Sequence, residues 1–136
     1  MHSRGEPPDD PPVGVLVVDD QLVFRQAARE VIEATPEFVL LGEATSGTHA
    51  LAAVDELHPD LVLVDVRMPG MDGIETAAHL HSAHPDSVVV LISIDEPPDV
   101  PTRIASCGAA TLVRKQDFGP ALLRRIWGAY SPGAPA

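Results

Sequence analysis

A chain of 136 residues has room for one domain with an ordinary core, and 45% hydrophobic against 21% charged residues suits a globular protein. Its formal net charge of −11, with 20 acidic residues against 9 basic ones, argues against direct binding of nucleic acid and suits a protein that holds a cation. A single cysteine, Cys107, excludes an internal disulfide framework, and no apolar run reaches membrane-spanning length or looks like a secretory signal, so a cytoplasmic protein is expected.

Residues 1–12 carry four prolines and little that is apolar, which predicts a disordered leader. Val13–Val18 is a short, β-branched apolar run, the length of a buried strand. Phe24, Ala27, Ala28 and Val31 then recur at helical spacing, leaving Arg25, Arg29, Glu30 and Glu33 for the outer face. Pro36 closes this helix and Phe38–Leu41 reads as a second strand. Ala50, Val54 and Leu57 mark a second helix, and Pro59 precedes the strand Leu61–Val64. Asp72 is the expected N-cap of a third helix that buries Ile74, Ala77 and Ala78. Val88–Ile92 is the most hydrophobic strand. Thr102–Cys107 predicts a fourth helix, short or irregular because Pro97, Pro98 and Pro101 precede it. Gly108 ends it, Ala110–Val113 gives a fifth strand, and a last helix runs from about Asp117 to Trp127, before a frayed tail over residues 131–136. Residues 13–130 thus make one α/β unit, with five parallel strands and five helices in a doubly wound sandwich.

Ligands in such sheets bind beyond the carboxyl ends of the strands. The first strand ends in Asp19 and Asp20, the third in Asp65, the fourth in Ser93, and the fifth runs into Lys115. Each has an ordinary explanation alone: aspartates cap helices and favour turns, a serine is a loop hydroxyl, and a lysine is a surface charge. Together they make a chemistry. Three carboxylates oppose one another's ionisation, and Mg2+ relieves that repulsion through hard oxygen donors. One carboxylate is then available as a nucleophile toward phosphorus, while an ammonium and a hydroxyl engage phosphoryl oxygens. Lys115 is also the only lysine, eight arginines supplying the other positive charges.

These residues resemble the response-regulator receiver family, most closely the receivers that precede a LuxR-type DNA-binding domain. The resemblance rests on VLVVDDQLVFRQ, on PDLVLVDVRMPGMDG and on the pair Ser93 and Lys115, and runs from Val15 to about Trp127. It implies the flavodoxin-like receiver fold, with Asp65 as phosphoacceptor and Mg2+ held by Asp19, Asp20, Asp65 and the Arg67 backbone carbonyl. It further implies that Ser93 meets the phosphoryl group and that Lys115 pairs with Asp65 before transfer. A sensor histidine kinase or phosphotransfer protein would be the donor and a downstream protein the target. Three features depart from the family. Leu112 stands where an aromatic residue is usual, Ile94 is larger than the residue expected after Ser93, and the stretch Asp95–Pro101 is proline-rich. They motivate an alternative, a degenerate receiver that signals by binding without phosphorylation. A haloacid-dehalogenase-type phosphatase is disfavoured, because Arg67 occupies the place of its second aspartate.

Other features carry less chemistry. His79, His81 and His84 do not share one helical face, Cys107 is expected to pack, and Arg124 and Arg125 suit the dipole of the last helix. Leu122, Leu123, Ile126, Trp127 and Tyr130 exceed what one buried helix face needs; the surplus either packs in the core or offers a surface for a partner, a homodimer included.

Overall fold

The alternation of apolar runs and amphipathic segments resolves, in the computed structural model, into β1 (Val13–Val18), α1 (Leu22–Glu33), β2 (Phe38–Ala44), α2 (Gly47–Leu57), β3 (Leu61–Asp65), α3 (Gly73–Ala83), β4 (Val88–Ser93), β5 (Thr111–Arg114), a 3-10 turn (Lys115–Asp117) and α4 (Pro120–Tyr130). The structure describes residues 11–94, 103 and 106–132. The strands form one parallel sheet in the order β2-β1-β3-β4-β5. Of the expected fourth helix, Arg103, Ser106 and Cys107 are helical and Gly108, at φ +84°, follows them. The rest of that segment, the stretch Asp95–Pro101, most of the leader and residues 133–136 lie outside the described residues.

Because successive strand residues point to opposite faces, each central strand feeds two cores. Leu16, Val18, Val62, Val64, Val89 and Leu91 face α2 and α3, where Ala50, Val54, Ile74, Ala77 and Leu80 meet them. Val15, Val17, Leu61, Leu63, Val90 and Ile92 face α1 and α4, packed on Ala28, Ile32, Leu123 and Ile126. That double burial explains why the strands read as continuous apolar runs rather than alternating ones.

Element ends differ from expectation for identifiable reasons. β2 continues three residues past Leu41, with a register irregularity opposite Val15/Leu16 that carries Glu43 alongside Val17. The last helix begins at Pro120 rather than Asp117, since proline is suited to a first helical turn and the preceding residues close a 3-10 turn onto the Lys115 carbonyl. Ala27 and Ala78 prove exposed, and Ile32 and Leu80 take the buried positions. Arg124 sits inside α4 instead of near its end and pairs with Glu37 at 2.7 Å. Cys107 is buried in the core, as expected. Of the surplus apolar residues on the last helix, Leu123 and Ile126 are buried, Leu122 and Trp127 pack on the core edge, and Tyr130 is exposed.

Candidate functional site: an acidic pocket at the sheet's carboxyl edge

The winding of the sheet reverses beside β1, which lies between β2 and β3, so the ends of β1 and β3 open into the crevice where such folds bind ligands. Asp19, the residue after β1, is fully buried. Its Oδ1 accepts the N–H of Gln21, the residue before α1, at 2.8 Å. Its Oδ2 lies 2.6 Å from Lys115 Nζ, so the buried carboxylate is paired with the ammonium. Asp20 beside it is exposed. Asp65 ends β3 and is 6% exposed. Oxygens of Asp19, Asp20 and Asp65 all lie within 4.8 Å of one another.

Burial, and then the Asp19 carboxylate, push the Asp65 carboxyl up to about 6, against the opposing pull of Lys115 and of the Arg67 N–H, which approaches Oδ1 at 3.4 Å. Lys115 reaches Asp65 Oδ2 at 3.7 Å, so its ammonium stands nearer to Asp19 than to the residue the resemblance pairs it with. The ammonium is held from a third side by the Phe24 ring, 4.8 Å from its centroid, and Phe24 in turn packs against Phe118 at 5.9 Å. Ser93, the last residue of β4, is buried one position beyond Ile92, the register partner of Asp65. The sheet therefore brings Asp19, Asp20, Asp65 and Lys115 into one pocket, with Ser93 at its β4 side and Arg67 in the loop after β3. Three carboxylates whose oxygens lie within 4.8 Å of one another, two of them buried, offer hard donors that fit a divalent cation of the Mg2+ kind.

The loop from β3 to α3 is tightly built. Gly70 takes φ +76°, which completes the Pro69-Gly70 turn. At Gly73 a Cβ would come within 2.0 Å of the Asp65 carbonyl oxygen, so only glycine lets α3 start this close to the acidic residue. Asp72 caps α3 by accepting the Glu75 N–H at 2.9 Å and meets Arg103 at 2.8 Å. Leu112 packs partly buried against the core on the α2 and α3 side, whereas Ile94 is 64% exposed. The three histidines do not assemble: His84 pairs with Asp55 at 2.5 Å and His81 lies against Gly108. Sequence reasoning missed Arg25 and Glu43, which adjoin the pocket. Arg25 and Arg29, one helical turn apart, were the available signal, but their acidic partner lies in the part of β2 that the apolar pattern did not reach.

Strand order 2-1-3-4-5 with a pocket at the reversal defines the flavodoxin-like class of doubly wound proteins. Within that class, the model of the response regulator receiver domain matches residues 15–126, and the chain belongs to this family, the receivers of two-component response regulators. The response regulator GacA of Pseudomonas viridiflava is 38% identical over 103 residues, which are 76% of this chain and 48% of GacA. Among solved structures, the signal receiver domain of NarL from Mycobacterium tuberculosis is similar with a TM-score of 0.79 and 31% identity, covering 86% of this chain and 94% of that one. The response regulator domain of Thermotoga maritima CheB gives 0.78 and 25%, covering 89% and 99%. The chain spans about half the length of the curated GacA relatives it matches. No helix among the described residues is long and apolar enough to cross a membrane.

Proposed function

We propose that residues 13–130 form a receiver unit that accepts a phosphoryl group on Asp65 from a sensor histidine kinase or phosphotransfer protein, in the cytoplasm. The observation that carries this reading is the gathering of three carboxylates within 4.8 Å, with the lone lysine of the chain in ionic contact with two of them. Asp19, Asp20, Asp65 and the Arg67 backbone carbonyl would hold Mg2+, which supplies the positive charge that lets the carboxylates share the pocket and a phosphoryl group join them.

The chain's own residues supply the rest. A carboxyl poised at about 6 is ionised at neutral pH, so an Asp65 oxygen can attack the phosphorus of a phosphohistidine. The new O–P bond forms as the P–N bond breaks, and the imidazole leaves with the electron pair and takes a proton from solvent. Lys115 neutralises phosphoryl oxygens and the Ser93 hydroxyl donates to one. The product is an acyl phosphate with more negative charge than the carboxylate it replaces. Its preference for one arrangement of Ser93 and Lys115 biases the surrounding loops and hence binding of a downstream protein target. The degenerate alternative is not favoured, since the clustered carboxylates and the Lys115 contact are groups that such a transfer would use. Strong net negative charge also argues against direct contact with nucleic acid by this unit.

The test is incubation with Mg2+ and a small acyl phosphate followed by intact-mass measurement. Wild type should gain one phosphoryl group and Asp65→Asn none. An unmodified wild type, beside a control receiver that is modified, would sink the proposal.

A further inference from the structure

Arg25 lies outside the acidic pocket, yet its guanidinium reaches the main chain from which two of the three carboxylates hang. Nη1 donates to the Asp19 carbonyl oxygen at 2.9 Å and Nε donates to Glu43 Oε1 at 3.1 Å. Glu43 is itself held by Arg29, whose Nε and Nη2 donate to Oε2 at 3.0 and 2.6 Å. Arg25 and Glu43 side chains are only 14% and 19% exposed, so this ion pair is shielded more than a surface pair would be. The Asp19 N–H meanwhile donates to the Ala44 carbonyl of β2 at 3.0 Å. The main chain of Asp19 is thus held at its N–H by β2 and at its carbonyl by Arg25.

The Asp19 carbonyl belongs to the same planar peptide unit as the Asp20 nitrogen. Fixing that oxygen fixes the plane from which Asp20 projects. Asp19 has its own side-chain anchors in Gln21 and Lys115, whereas Asp20 is exposed, so the aim of its carboxylate depends on the peptide plane. We propose that Arg25, clamped by Glu43 and Arg29, is a positioning residue for divalent-cation binding, and that it acts by orienting the Asp19–Asp20 peptide. The inference rests on the acidic pocket being the cation site. A merely structural role, stapling α1 to β2, would alter stability and leave cation affinity alone.

Electrostatics gives the test a sign. Removing a positive charge beside three carboxylates strengthens the attraction for a cation, so a charge effect alone tightens Mg2+ binding in Arg25→Met. A positioning role weakens it, by about tenfold, the scale on which groups that orient metal ligands act. Calorimetric titration with Mg2+ on wild type, Arg25→Met, Asp20→Ala and the double variant separates the possibilities, with denaturant unfolding in chelator as the measure of folding. Arg25→Met and Asp20→Ala should each bind more weakly, and the double variant should bind no more weakly than Asp20→Ala alone. Arg25→Lys keeps the charge and loses the forked geometry; it should also weaken binding, and it carries the comparison if Arg25→Met does not fold. Wild-type or tighter affinity in Arg25→Met or Arg25→Lys, beside weakened Asp20→Ala, overturns this inference and leaves the site intact. A double variant weaker than Asp20→Ala overturns it too, since Arg25 would then act elsewhere. Unchanged affinity in Asp20→Ala removes the site and this inference with it.

Discussion

Asp65 is costly to the fold that displays it. Its carboxyl titrates near 3.8 when free and at about 6 in place, so between those values the native chain holds more protons than the unfolded one. Stability therefore falls as pH rises through that window when no divalent cation is present. Asp65→Asn, which cannot ionise, should be more stable than wild type at pH 7 in chelator, on the order of 1 kcal/mol after allowing for solvent contact. The advantage should shrink as pH falls below about 6 and disappear by about pH 3, where both unfolded and folded Asp65 are protonated. Thermal unfolding at the two pH values checks it; an equal difference at both would refute the assigned cause. Gly73 makes the opposite kind of demand, because a methyl there meets backbone rather than a movable side chain. Gly73→Ala should lose about 3 kcal/mol by denaturant unfolding, the upper end for overpacking, and should disturb the amide signals of Asp65 and Val66.

At the scale of elements, the strands and most helices were legible because the central sheet is buried on both faces and shows as apolar runs. The acidic pocket was legible for a related reason: a parallel sheet puts the residues after each strand at one edge, so knowing the strand ends is enough to gather Asp19, Asp65 and Ser93. What was not legible depended on contacts between elements. Lys115 stands nearer to Asp19 than to Asp65 because the 3-10 turn and the Phe24 ring direct it there, and neither is a local signal. Arg25 read as a solvent-facing helix residue until the extended β2 placed Glu43 beside it. Asp72 joins both kinds of information, capping α3 as expected and also meeting Arg103. Asp72→Ala should cost about 1 kcal/mol or somewhat more, and Asp72→Asn, which keeps the cap, only a few tenths. Equal losses in denaturant unfolding would show that the Arg103 contact, rather than the cap, dominates. Leu91→Ala, in the core facing α2 and α3, should cost about 2–5 kcal/mol.

Over the whole molecule, a pocket that holds Mg2+ would link its occupancy to folding. Mg2+ at tenfold over its dissociation constant should add about 1.4 kcal/mol and raise Tm by about 5 °C. Asp20→Ala should lose most of that rise at the same Mg2+ concentration, and differential scanning calorimetry with and without the ion reads both. The placement of Lys115 has a further use. The only side-chain amine of the chain sits 11% exposed between the two buried aspartates, so it is a spectroscopic reporter already installed at the site. Lysine enriched in 15N would give a side-chain spectrum with one ammonium resonance, free of overlap from any other lysine. Its position would register displacement of the ammonium from Asp19 by a cation, or transfer of its contact to a phosphoryl oxygen, at each point of a titration, without a tag, a dye or a substitution anywhere in the chain.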